Sequence, residues 1–317
     1  MTELDYVVVL AGGLSPEREI SLRSGEQVCG ALSEVGVQAV LADTDSTLLS
    51  RLRSDPPSAV FPVIHGAPGE DGSVREVLGL LGAPYVGSRP AACRMAFDKS
   101  AAKVLAAAAG LCTPAAVTLP RETFHDLGAT AVIDLIIGRL GVPLFVKPSR
   151  GGSALGASAA HSAADLATAI VGCFGYGDTA LIERLVSGTE IAAGVIDLGD
   201  GPRALPPVEI VAPGGTYDYA ARYTAGETEF YAPARLPAAT AEEVARVAVT
   251  AHTALGLRDI SRTDLIVDAA GAVHFLEVNV APGMTSTSTL PMAMRAASLD
   301  PGSCYAALLQ RAADRER

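Results

Sequence analysis

The stretch 261–292, SRTDLIVDAAGAVHFLEVNVAPGMTSTSTLPM, decides how the rest of the chain is read. Two apolar runs, residues 264–267 and 273–280, flank Asp268-Ala-Ala-Gly271, the composition of an antiparallel hairpin and its turn. A loop at residues 269–272 sets Asp264 opposite Glu277. Side chains alternate faces along a strand, so Glu277 and Asn279 point the same way and cross-strand pairing brings Asp264 beside them. One face then carries two carboxylates and an amide oxygen. Crowded carboxylates repel one another unless a cation neutralises them, and an oxygen set without sulfur or imidazole suits Mg²⁺. Such a site keeps coordination positions open for nucleotide phosphates. The bland alternative is a solvated hairpin with ordinary surface charges. Arg262 and the turn residues Ala281-Pro-Gly-Met284 weigh against it, because they add a cation and a sharp bend at the same edge.

Upstream, residues 180–195 read as strand, polar turn, strand, with acids at Glu183 and Glu190. Backbone at 184–186 and the carboxylate of Glu190 suit an adenine edge and a ribose diol, although either acid could equally be surface decoration. A strand at 143–147 ends on Lys147 and runs into Pro-Ser-Arg-Gly-Gly-Ser-Ala-Leu-Gly-Ala157. Glycines let backbone N–H groups turn toward a polyphosphate while the ammonium compensates its charge. No G-K-[ST] follows, so this is not a Walker loop, and a flexible hairpin loop is the plain alternative. Tyr217-Asp-Tyr-Ala-Ala-Arg222-Tyr223 sits in a long irregular stretch of the kind that often forms a lid.

The beginning of the chain has a different pattern. A strand at 6–10 enters Ala11-Gly-Gly-Leu-Ser-Pro-Glu17-Arg-Glu-Ile-Ser21, and a helical pattern follows over 21–35. Strand, glycine turn and helix open a doubly wound α/β domain, whose ligands gather at the strand ends. Glu17 is either a first-turn helix acid or a site residue at that edge. A second strand, 59–64, ends in His65-Gly-Ala-Pro-Gly-Glu70-Asp-Gly72, making His65 and Glu70 candidates for the same edge. A lone histidine there is more often structural. Helices are expected at 99–110, after Asp98-Lys99, and at 163–173.

Composition bounds these readings. The chain has 317 residues, 49% hydrophobic and 19% charged, enough for two or three domains with substantial cores and unlike a disordered chain. A net charge of −11 opposes a generic nucleic-acid or anionic-membrane surface, so phosphate binding must come from locally placed cations and N–H groups. Five cysteines, at 29, 93, 112, 173 and 304, lack metal-type spacing. They fit a reducing cytosol, with each thiol expected to be buried. No apolar run reaches the length of a membrane span, and the acidic residues before the first strand do not make a signal peptide.

Glu17, His65-Gly, Gly69-Glu-Asp-Gly72, Asp98-Lys99, Lys147-Pro, Tyr217-Asp-Tyr and Arg262-x-Asp264…Glu277-x-Asn279-x-x-Pro-Gly-Met-Thr285 occur in one order. In that order the chain resembles the D-alanine–D-alanine ligase family of the ATP-grasp superfamily, from about residue 8 to residue 291. The resemblance implies an α/β, three-domain ATP-grasp fold. Its parts would be an N-terminal doubly wound substrate domain at 1–88, a central subdomain at 89–183 and a C-terminal subdomain at 184–317 with the metal and substrate site. It implies ATP, two Mg²⁺ ions with Mn²⁺ as a substitute, D-amino acid substrates and a cytoplasmic homodimer making peptidoglycan precursors. Lys99, Lys147, Gly152, Ser153, Ala154, Glu183, Val186, Glu190 and Arg222 would bind the nucleotide, and Asp264, Glu277 and Asn279 the metals. Glu17, Ser153, Tyr223, Arg262 and Gly283 would serve catalysis, with Glu17, His65, Glu70, Ser288 and Thr289 at the amino acids.

Four positions depart from the family pattern. Ser153-Ala154 replaces Ser-Ser, Arg222 replaces a lysine, Thr289 replaces an apolar residue, and residues 73–78 replace a run containing Gln-Gly. They bear on the second substrate more than on ligation. A ligase for another D-amino acid pair is therefore an alternative, as is a catalytically silent ATP-binding protein, which the intact set of charged residues opposes.

Overall fold

The structure is a computed structural model that describes residues 4–212 and 228–315. The first strand, β1 (Val7–Ala11), is buried at every position because it is the middle of a parallel sheet ordered β2-β1-β3. Its neighbours are β2 (Ala39–Asp43) and β3 (Ala59–Pro62). An all-apolar VVVLA run is what a strand covered on both faces requires. The helix Arg18–Glu34 covers one face, burying Val28 and Leu32.

A second, antiparallel sheet contains β4 (Ala116–Pro120), β5 (Leu144–Pro148), β6 (Ser158–Ala160) and β7 (Thr179–Arg184), in the order β4-β7-β5-β6. The helices Arg121–Leu127, Ala129–Leu140 and Ala163–Cys173 give it a core of Phe124, Ile133, Ile136, Leu166 and Ile170.

The third sheet runs β11-β10-β8-β12-β13, with β9 beside β8. Its strands are β8 (Thr189–Ile196), β9 (Arg203–Ala204), β10 (Val208–Val211), β11 (Glu229–Tyr231), β12 (Ile260–Val267) and β13 (Val273–Asn279). The helices Lys99–Ala108 and Ala238–Ala254 share one core with it, through Ala102, Ala106, Val247, Ala251, Leu265 and Phe275. Another core joins β1 and β3 to the helices Thr289–Ala296 and Pro301–Arg315, where the Phe61 ring stands edge-on to Tyr305 at 5.5 Å. The last helix thus packs back on the first sheet.

The β12–β13 ribbon differs from the expected hairpin in one instructive way. Val267 pairs with Val273, so the loop is 268–272 and not 269–272. That alone would move Glu277 out of line with Asp264. A β-bulge follows, however: Leu265 pairs with Phe275 and Asp264 with Glu277, leaving Leu276 as the extra residue of β13. The two offsets cancel. The expected strands 6–10 and 59–64 appear as Val7–Ala11 and Ala59–Pro62, and the expected helix 21–35 begins earlier, at Arg18. The expectation that every thiol is buried fails at Cys112, which is exposed, and partly at Cys29. No helix among the described residues is long and apolar enough to cross a membrane.

Candidate active site

Two cavities meet above the ribbon. The first, about 150 Å³, lies between the second and third sheets. Phe145, Leu155, Leu185, Val186, Ile266 and Leu276 form its apolar walls, and Lys147, Glu183, Arg184 and Glu190 line it too. The bulge explains why Leu276 and the adjacent Glu277 both face this space, since two consecutive side chains of a bulge can point to one side. The second cavity, about 590 Å³, is bounded by Glu17, His65, Glu70, Arg262, Asn279 and the turn 283–289. Lys99, Gly151, Gly152, Asp264 and Glu277 line both. A largely apolar slot therefore opens, through a band of charge and glycine backbone, into a polar chamber.

Lysine placement in that band follows from local structure. Asp98 caps the helix Lys99–Ala108, accepting from the N–H groups of Ser100 and Ala101 and from the Ser149 hydroxyl at 2.8 Å. Lys99 is thereby held against the glycine loop, where its Nζ donates to the Gly151 carbonyl at 2.5 Å and lies 3.5 Å from Glu277. Lys147, next to last in β5, meets Glu183 at 2.7 Å, and Lys103 meets the other oxygen of Glu183 at 2.5 Å. Burial would lower the Lys147 pKa, but Glu183, Glu277 and Asp264 outweigh it and hold the ammonium above its ordinary value. Burial dominates at Lys103, whose pKa falls despite Glu183. For Glu183 burial opposes charge, and the two lysines overcome it and keep the carboxyl below its usual range. Glu183 thus spends its carboxylate on two ammonium groups. Lys103 was not anticipated. Its signal was its place four residues after Lys99 on one helical face.

Arg262 holds Asp264 through two hydrogen bonds, Nε to Oδ1 at 2.7 Å and a terminal nitrogen to Oδ2 at 2.8 Å. Arg262 pairs with Asn279 across the ribbon as Asp264 does with Glu277, so all four lie over the second cavity. Asp264, Glu277 and Asn279 offer two carboxylates and an amide oxygen, the latter accepting from the Ala281 N–H at 2.7 Å. Among the described residues no three His, Cys, Asp or Glu side chains form a metal cage. The donors present, two carboxylates and an amide oxygen, are hard oxygen ligands of the kind Mg²⁺ takes beside nucleotide phosphates.

At the far side, the Ser153 hydroxyl donates to Glu17, and Ser153 and Ala154 both have left-handed backbone, with φ of 54° and 56°. This bends the glycine loop over the second cavity. His65 is buried with both ring nitrogens engaged, Nδ1–H donating to the Ala281 carbonyl at 3.1 Å and Nε2 accepting from the Ser24 hydroxyl at 3.0 Å. Burial lowers its pKa to about 4, so the ring is neutral and braces the turn after β13. Ser24 was not anticipated either; its oxygen also accepts from the Met284 N–H at 3.3 Å. Glu70 is pushed up to about 8 by burial and then by the charge of Glu17, while the Gly66 N–H donates to it at 3.2 Å. Ser288 precedes the helix Thr289–Ala296, and its hydroxyl accepts from the Thr285 N–H at 3.0 Å. A Cβ on Gly283 would stand 2.6 Å from that oxygen, so a larger residue there would push the Ser288 hydroxyl aside. Tyr223 and Arg222 lie outside the described residues.

Residues 105–310 match the profile of the D-ala D-ala ligase C-terminus family. A D-alanine–D-alanine ligase of Bordetella petrii is 39% identical over 310 residues, covering 98% of this chain and 93% of its own. One from Anaeromyxobacter dehalogenans is 40% identical over 285 residues, covering 90% and 89%. Among solved structures, the VanG D-Ala:D-Ser ligase of Enterococcus faecalis superposes with a TM-score of 0.83 at 27% identity, over 98% of this chain and 100% of its own. With three sheets in the ATP-grasp arrangement and relatives along nearly its whole length, this chain belongs to the D-alanine–D-alanine ligase family.

Proposed function

We propose that the chain joins two D-alanines, with ATP converted to ADP and phosphate, in the cytoplasm and for peptidoglycan precursors. One observation carries the reading: the apolar slot and the polar chamber share Lys99, Gly151, Gly152, Asp264 and Glu277. A nucleotide in the slot, with its base against Leu185, Val186 and Ile266 and its ribose near Glu190, would present its γ-phosphate there to a carboxylate in the chamber. Lys99, Lys147 and the 151–154 backbone offset charge on the transferring group. When bound, two Mg²⁺ ions supply further positive charge at the phosphates, and Asp264, Glu277 and Asn279 are the residues to hold them.

Glu17 receives the ammonium of the first D-alanine, whose carboxylate attacks the γ-phosphate to give an acyl phosphate. The amine of the second D-alanine then attacks that carbonyl, and Arg262 with the Gly283 N–H faces the oxyanion. Ser288 meets the second carboxylate. Closure over the chamber would exclude water from the acyl phosphate, and the resemblance gives Tyr223 as the partner of Glu17 and Ser153 in it. We also propose the division at 1–88, 89–183 and 184–317 and a homodimeric state. Phosphate release and dipeptide mass on mixing with D-alanine alone and Mg-ATP test the reading; no release with D-alanine alone would defeat it, and a panel of D- and L-amino acids then shows whether another pair is joined.

A second reading rests on Thr289, a hydroxyl on the chamber wall, and on the likeness to a protein named as a D-Ala:D-Ser ligase. It makes the second substrate a polar D-amino acid. Thr289→Leu would then shift preference toward D-alanine; an unchanged profile removes Thr289 from specificity.

A further inference from the structure

Cys112 lies apart from both cavities, in the segment after the helix Lys99–Ala108, and its thiol is exposed. Its Sγ is 3.4 Å from Nδ1 of His274, and Nε2 of His274 is 2.8 Å from Oδ2 of Asp268. Asp268 is fixed by the hairpin turn, where its other oxygen accepts from the N–H groups of Ala270 and Ala272, each at 2.9 Å. Hydrogen bonding from His274 and from that turn holds the Asp268 carboxyl below its usual range. It is therefore an ionised acceptor, which keeps the imidazole proton on Nε2. The Nδ1 lone pair then faces the thiol.

The sulfur and the ring also ride on one rail. The Phe275 N–H donates to the Cys112 carbonyl at 2.8 Å, and the Thr113 hydroxyl donates to the Phe275 carbonyl at 3.0 Å, so the segment lies along the outer edge of β13. His274, on that strand, cannot drift from Cys112 without breaking these bonds. The three side chains run in a line and not around a point, in keeping with the lack of a metal cage among the described residues. Each of the other four thiols is raised by burial, Cys29 and Cys173 to about 11.

We propose that Cys112 is a modification site, a thiol that His274 activates and Asp268 positions for exchange with a small-molecule disulfide. His274 Nδ1 takes the Sγ proton, and the thiolate attacks one sulfur of R–S–S–R. The bond from Sγ to that sulfur forms as the R–S–S–R bond breaks, and the departing RS⁻ takes the proton back from the imidazolium. Oxidation of Cys112 to the mixed disulfide balances reduction of one RS group to RSH. The site is independent of the ligase reaction.

The full chain is mixed at neutral pH with 4,4′-dithiodipyridine, thiopyridone release is followed by absorbance, and adducts are placed by peptide mass spectrometry. Cys112 forms the first adduct, roughly threefold or more faster than N-acetylcysteine, because His274 Nδ1 stands in place to take the Sγ proton. His274→Asn brings that rate down to the N-acetylcysteine value, and Cys112→Ser removes the fast phase. Another cysteine reacting first, or Cys112 in the unaltered chain reacting no faster than N-acetylcysteine, overturns the proposal. So does an unchanged rate in His274→Asn.

Discussion

Glu277 is the residue on which two environments converge, since it is near Lys99, beside Asp264 and on the wall of both cavities. Its side chain is a quarter exposed, so removing it costs little packing. Glu277→Ala should lower turnover by about a hundredfold or more, the scale of losing a charge-stabilising group, while the melting temperature stays within a few degrees. Turnover near the unaltered level would remove it from the site. Glu70 offers a test of burial. Its folded pKa of about 8 exceeds its ordinary 4.5, so the folded chain binds the extra proton between those values. Stability from this group is complete below pH 4.5 and is lost as pH rises toward 8, on the order of 1 kcal/mol per pH unit. Glu70→Gln should flatten denaturant midpoints over that window; equal slopes in both proteins would refute the shift. Charged residues at strand ends were legible from sequence because they break an apolar run. Lys103 carried only its spacing from Lys99 and Ser24 carried nothing, because each acts on a partner far along the chain, Glu183 and His65.

Among the elements, the β12–β13 ribbon was the most legible, and its pairing of Asp264 with Glu277 was read correctly for an incomplete reason. Composition marked the turn, but neither the longer loop nor the compensating bulge at Leu276 has a residue signature. Both depend on how β13 packs against its neighbours. The helices Arg121–Leu127 and Ala129–Leu140 went unread, since only Gly128 divides them and their apolar faces are set by the sheet beneath. Contacts between elements are less legible still. Gly302, in the last helix, faces the first helix so closely that a Cβ would stand 2.3 Å from the Ala31 carbonyl oxygen. Both sides of that contact are backbone and cannot yield. Gly302→Ala should therefore cost about 1–3 kcal/mol and lower the melting temperature by several degrees. An unchanged melting temperature would mean that the two helices do not meet there.

For the molecule as a whole, the net charge of −11 makes the local cations meaningful. An acidic chain does not attract phosphates in general, so the proposed reaction relies on Lys99 and Lys147 where the two cavities join, with Arg262 kept for the oxyanion. Glu183 and Asp264 hold Lys147 and Arg262 in position, and Glu277 stands 3.5 Å from Lys99. The central claim is that a substrate carboxylate in the chamber attacks a phosphate presented from the slot. D-alanine labelled with ¹⁸O in its carboxylate tests this directly, in one turnover with Mg-ATP and with the released phosphate read by mass spectrometry. The account predicts one ¹⁸O in that phosphate for each dipeptide formed; phosphate free of the label, alongside dipeptide, would contradict it.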